Sequence, residues 1–124
     1  MPRHTLTFDS VRTIGLGLPD VEEGTTYGSP SLKIRGKLLT CLAVHKSAEP
    51  DSLAVRIDFD QRDALLAADP EVYYLTYHYA GYPVVLVRLS RIHPNALRDL
   101  LGMAWRFVTT KTARKPKGSR ARRR

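Results

Sequence analysis

The residues best equipped for chemistry in this chain are aromatic and basic. Five of the six tyrosines fall within Tyr73-Tyr74-Leu75-Thr76-Tyr77-His78-Tyr79-Ala80-Gly81-Tyr82-Pro83. Rings alternating along a strand and its loop can stack on bases or grip a small ligand. The same pattern also arises from strand packing alone, because Tyr and Thr are good strand formers. A second set is Lys33, Arg35 and Lys37, at i, i+2 and i+4. These project from one face if the strand runs on through Gly36, and are split if Gly36 turns the chain.

The third set lies at the C-terminus: Lys111, Arg114, Lys115, Lys117, Arg120, Arg122, Arg123 and Arg124. Its position matters more than the net charge of +8. Residues 1–110 hold 12 Lys/Arg and 12 Asp/Glu, whereas residues 111–124 hold eight basic residues and no acid. A segment with unbroken like charge and nothing large to bury cannot offset the entropy of ordering, so residues 111–124 are expected to form a disordered tail. Such an arm can displace counterions from phosphates and bind nucleic acid without reading its sequence. The other reading is a small-molecule or peptide groove lined by Tyr27, His78, Tyr79, Tyr82 and Arg88, with the tail serving solubility or targeting.

Catalytic and cofactor signatures fail one by one. There is no GxxxxGK[ST] phosphate loop and no GxSxG elbow. Gly15-Leu16-Gly17-Leu18-Pro19 starts like a dinucleotide loop but follows no strand and breaks at Pro19. His4, His45, His78 and His93 share no metal-ligand spacing, and the lone Cys41 pairs with nothing. No catalytic residue, cofactor or metal is therefore expected. Cys41, inside an apolar run, reads as a buried thiol in a reducing, cytoplasmic setting. No secretory start or membrane helix is expected.

The elements that must position these residues follow from periodicity. Leu97, Leu100, Leu101, Ala104, Trp105 and Val108 form one apolar stripe, predicting a helix over 94–108 with Trp105 buried. A helix over 60–68 is capped by Asp60 and stopped at Asp69-Pro70, and another spans 7–17. Leu53 to Phe59 alternates as a half-exposed strand. Ser31 to Arg35, Lys37 to Val44, Val72 to Thr76 and Pro83 to Leu89 read as four more. The order α-β-β-β-α-β-β-α predicts a two-layer α+β domain over residues 1–110, an antiparallel sheet of about five strands with helices on one face.

Several segments, in consistent order over residues 6–110, resemble the MmcQ/YjbR-like family. They are Leu18-Pro19-Asp20-Val21-Glu22-Glu23-Gly24, Tyr27-Gly28-Ser29-Pro30, Lys33-Ile34-Arg35-Gly36-Lys37-Leu38, Val55-Arg56-Ile57-Asp58, Gln61-Arg62-Asp63-Ala64-Leu65-Leu66 and Tyr77-His78-Tyr79-Ala80-Gly81-Tyr82-Pro83. The resemblance implies the same compact α+β fold and a DNA-binding label, with no catalytic residues to carry over. It also implies that Trp often follows Gly-Tyr-Pro. This chain has Val84 there, which removes one stacking surface.

Overall fold

Two tight turns organise the sheet. Tyr27 and Gly28 have φ of 53° and 78°, and Arg35 and Gly36 have 51° and 84°. Two successive positive φ values give the turn whose twist matches paired antiparallel strands, and glycine at the second place adopts it without strain. The first turn joins β1 (Val21–Thr26) to β2 (Ser29–Ile34), and the second joins β2 to β3 (Lys37–Leu42). These coordinates are a computed structural model that describes the backbone of residues 6–113 and the side chains of residues 6–110.

After β3 come β4 (Ser52–Arg56), a helix (Phe59–Ala68), β5 (Tyr73–Tyr74) and β6 (Val84–Arg88). Two further helices flank the sheet in sequence, so that α1 is Phe8–Gly15, α2 is Phe59–Ala68 and α3 is Pro94–Ala113. The strands form one sheet in the order β1-β2-β3-β4-β6-β5, with every neighbouring pair antiparallel. The α+β class, the antiparallel sheet and the three helices match the sequence-based expectation. The sheet has six strands rather than about five, because β1 adds a strand before the first one expected. In Val-Glu-Glu-Gly-Thr-Thr only Val21 is apolar, so no alternation marks it, and the strand is held by its ladder to β2.

The helix face of the sheet carries the core. Leu32, Ile34, Leu53, Val55, Val85 and Val87 pack with Val11 of α1 and with Leu97, Leu100, Leu101, Ala104 and Val108 of α3. Leu32 pairs with Thr40 and Lys33 with Leu38, leaving Leu39 as an extra residue in β3. This bulge lets Leu39 and Thr40 both serve the helix side. Thr40 is fully buried there, and its hydroxyl donates to Ala54 O at 2.7 Å.

Local sequence explains the helix ends. Thr7 caps α1, accepting from Asp9 N. Gly15 closes α1 so near β2 that a Cβ there would lie 2.3 Å from Leu32 Cδ1; glycine serves close approach as well as termination. Helix α2 is capped by Asp58, which accepts from Gln61 N at 2.8 Å, two residues before the expected Asp60. Helix α3 runs to Ala113, past the expected end at 108 and into the first residues assigned to the tail. Trp105 corrects another expectation. It is only partly buried, because its indole N–H reaches out to Pro19 O at 2.9 Å.

This difference between neighbours on one helix is measurable by chemical denaturation. Leu101→Ala empties a fully buried site and should cost about 3 kcal/mol. Trp105→Phe keeps most of the ring but loses the bond to Pro19, and should cost about 1 kcal/mol. A larger loss for Trp105→Phe than for Leu101→Ala would move the centre of the core to Trp105.

Candidate binding site on the open sheet face

Among the described residues no helical side chain joins the apolar cluster on the other side of the sheet. Cys41, Ala54, Val84 and Leu86 are buried there, flanked by Leu38, Ala43, Ala48, Tyr74 and Tyr79. A cavity of about 750 Å³ opens over this cluster. Leu38, Cys41, Ala54 and Val84 lie in its lining, and their small or medium side chains leave the depression. Val84, a medium-sized residue in the floor, leaves room above it. Tyr27, His45, His78, Tyr79 and Tyr82 supply the rings, and Arg56 the charge. Among these described lining residues there is no Asp or Glu.

The rim is tied to the frame at several points. Tyr27 stands at the tip of the β1–β2 hairpin, 90% exposed. The His45 and His78 rings stack at 3.6 Å and 7°. Tyr79 meets His78 edge-on at 4.8 Å. Ser47 N–H donates to His45 Nδ1 at 3.0 Å, and Ser47 Oγ lies 2.7 Å from Thr76 Oγ1, linking the segment after β3 to the one after β5. From α2, Arg62 Nη1 donates to Ala80 O at 3.0 Å and Tyr82 O at 3.1 Å, holding the loop from behind. Sequence reading did not single out Arg62, whose role depends on carbonyls almost twenty residues away.

Of the groove residues expected from sequence, Tyr27, His78, Tyr79 and Tyr82 line the cavity. Arg88 does not. Its guanidinium lies 4.3 Å from the Tyr74 ring centroid, holds both Glu49 oxygens at 2.9 and 2.8 Å, and donates to Pro70 O and Glu71 O. That arrangement clasps the β3–β4 connection to β5, and the hydrogen bonds from Arg88 hold the Glu49 carboxyl below its usual range. Arg56 takes the position expected of Arg88. It follows Ala54 at i+2 along β4, and this alternation was the signal available in sequence. Arg56 Nε is buried without a hydrogen-bond partner, and burial pulls the guanidinium below its ordinary pKa.

The proposed basic ridge is split. Lys33 pairs with Leu38 on the open face, while Lys37 pairs with Ile34, a residue of the helix face. Arg35 sits in the turn and holds Asp20 at 2.7 Å. Lys111 belongs to α3. Arg114, Lys115, Lys117, Arg120, Arg122, Arg123 and Arg124 lie outside the described residues.

Burial pushes the Cys41 thiol up, so it presents a neutral, weakly polar wall. Burial, followed by repulsion from His78 and Lys46, pushes His45 down, and Nδ1 already accepts the Ser47 N–H. Among the described residues no group of three or more His, Cys, Asp or Glu could hold a metal, and no helix is long and apolar enough to cross a membrane.

A depressed histidine makes the unfolded chain bind the extra proton first. The stability tied to neutral His45 is therefore intact above its ordinary value of 6.5 and is lost as pH falls below it. The melting-temperature advantage of wild type over His45→Asn should shrink between pH 7.5 and pH 5.5. An advantage that grows on acidification would reverse the sign.

Comparison with known proteins places this geometry. The YjbR family model matches residues 16–107. Uncharacterised proteins of Mycobacterium bovis and Mycobacterium tuberculosis are each 45% identical over 56 residues, 44% of this chain and 43% of theirs. This chain thus aligns with less than half the length of those relatives. The crystal structure of a Deinococcus radiodurans protein with a DUF419 domain shares the fold, at a TM-score of 0.73 and 21% identity, covering 90% of this chain and 84% of that one. The family match spans both layers and the segments that form the cavity, and the chain belongs to the YjbR family.

Proposed function

We propose that this chain is a nucleic-acid-binding module, not an enzyme, and that it holds DNA largely without reading its sequence. One observation carries the reading: the excess charge lies wholly in residues 111–124, which hold eight basic residues and no acid. The Phe107 ring of α3 lies 5.8 Å from the Arg56 guanidinium, and Arg56 lines the cavity. The helix runs only to Ala113 before the chain enters its most basic stretch.

The division of labour follows from charge. Within residues 1–110 acids and bases balance, and Arg12, Arg35, Arg62, Arg88 and Arg91 are each engaged by a carboxylate. The body therefore offers phosphates little, and the arm supplies the electrostatic affinity. Tyr27, Tyr77 and Tyr82, at 90%, 73% and 58% exposure, give unpaired bases flat surfaces on which to stack. Phosphate contacts position a protein without reading bases, so discrimination among sequences is weak. The unpaired Cys41 supports a reducing, cytoplasmic setting.

The test compares the full chain with a truncation after Ala113, which leaves α3 whole. With about half of the seven removed charges engaged at once, the full chain should show a log–log salt slope of roughly −3 on duplex DNA. The truncation should flatten that slope and leave the melting temperature unchanged. A truncated chain that keeps both slope and affinity would remove the arm from the binding mechanism.

A further inference from the structure

We propose that the open-face cavity is a binding site for one planar aromatic molecule carrying an anionic group, its ring on the apolar floor and its anion on Arg56. This site is separate from the arm and stands whether or not the arm binds DNA.

Size and lining define the ring. A volume of about 750 Å³ lies within the range of small-molecule sites. Cys41, Ala54 and Val84 are 9%, 6% and 9% exposed, and this apolar floor gains free energy by shedding water under a ring. The walls are aromatic and set at different angles. His45 and His78 lie parallel, Tyr79 stands at 86–87° to both, and Tyr82 is tilted 47° from His78. A planar guest can stack on one wall and meet another edge-on, the two geometries aromatic pairs prefer.

Arg56 defines the charge. Unlike Arg12, Arg35, Arg62, Arg88 and Arg91, it faces no carboxylate among the described residues. Its Nε–H is buried and unsatisfied, a state that costs free energy until an acceptor arrives. Among the described residues no acid lines the cavity to compete. The guanidinium fork matches carboxylate and phosphate oxygens two at a time, and a site shielded from water strengthens the pair. A cationic guest meets only like charge here, and a neutral one leaves the Arg56 guanidinium without a counter-charge.

Two sources share this chemistry: a free small molecule, and a single unpaired nucleotide of a strand held by the arm. Amide chemical shifts of the isotope-labelled full chain distinguish them. The probes are adenosine 5′-monophosphate and 2-naphthoate, their neutral counterparts adenosine and 2-naphthylmethanol, and an oligothymidylate strand. The anionic probes should shift the amides of Cys41, Ala54 and Val84 and bind roughly tenfold or more tightly than the neutral ones. Arg56→Met should erase that preference, and Ala54→Leu, which fills the floor, should abolish binding of both kinds. The dispersion of the spectrum verifies that each variant is folded.

If the strand shifts the same amides and Arg56→Met prevents it, the site holds a unit of the strand. If only the free probes shift them, the site holds a free molecule; DNA binding by the arm is then judged by its own salt slope. Equal binding of anionic and neutral probes, an unchanged preference in Arg56→Met, or unmoved cavity amides with every probe would overturn the site.

Discussion

The pairing of β4 with β6 is the constraint on which the molecule depends. It joins residues 52–56 to residues 84–88, the hairpin half of the sheet to the half that follows α2. Its register sets Ala54 opposite Leu86 and Arg56 opposite Val84 on one face, with Leu53 opposite Val87 and Val55 opposite Val85 on the other. Side chains alternate strictly along a strand, so a slip of one residue would drive Arg56 into the helix layer and turn Leu53 and Val55 outward. Exposing those two core residues and moving the whole guanidinium among leucines would both oppose that arrangement. The core and the cavity are thus fixed by the same ladder.

The two faces are finished differently. Helices α1 and α3 seal one with interlocking aliphatic side chains, and Leu65 and Leu66 of α2 pack at its margin. The other is only partly covered, by a loop that contributes rings more than bulk. That loop is held by directed contacts at its flanks: Arg62 on two carbonyls, the Ser47–Thr76 hydroxyl pair, and the stacked histidines. Around the far corner, Tyr74 OH accepts from Glu49 N and lies 2.5 Å from Ser52 Oγ, while Arg88 covers its ring. Polar groups thus do at the rim what packing does in the core, leaving the floor empty while its walls are fixed.

What could be read from the chain alone divides by range. The stripe on α3 and the alternation of β4 are local periodicities that mark a helix and a strand where they occur, but β4 ends at Arg56 and is buried over residues 52–55 rather than half-exposed. The stop at Asp69-Pro70 is equally local, and α2 ends at Ala68. Asp58 and Asp60 are both competent caps, and only the path of the chain out of β4 chooses between them. Strand β1 lacked periodicity, although Tyr27-Gly28 offered a turn signal that Arg35-Gly36 repeats. Four of the five groove residues were legible because they cluster in sequence or flank a turn. Arg88 misled because its partner, Glu49, lies 39 residues away. An arginine's face can be inferred from alternation, but whether a carboxylate already holds it is a fact of tertiary structure.

The outer strands have a consequence for how these molecules coexist at high concentration. A sheet edge is a row of unspent donors and acceptors, open to the edge of any neighbour. Here one edge is the two-residue β5, too short to template a further strand. The other is β1, whose Glu22 and Glu23 precede the weak strand former Gly24. A second copy approaching edge to edge would meet Glu22 and the Arg12–Glu23 ion pair along an unfavourable stretch of backbone. The strand least visible to hydrophobic pattern is therefore the one that ends the sheet, and its acidic, apolar-poor sequence protects the fold from growing into a fibre.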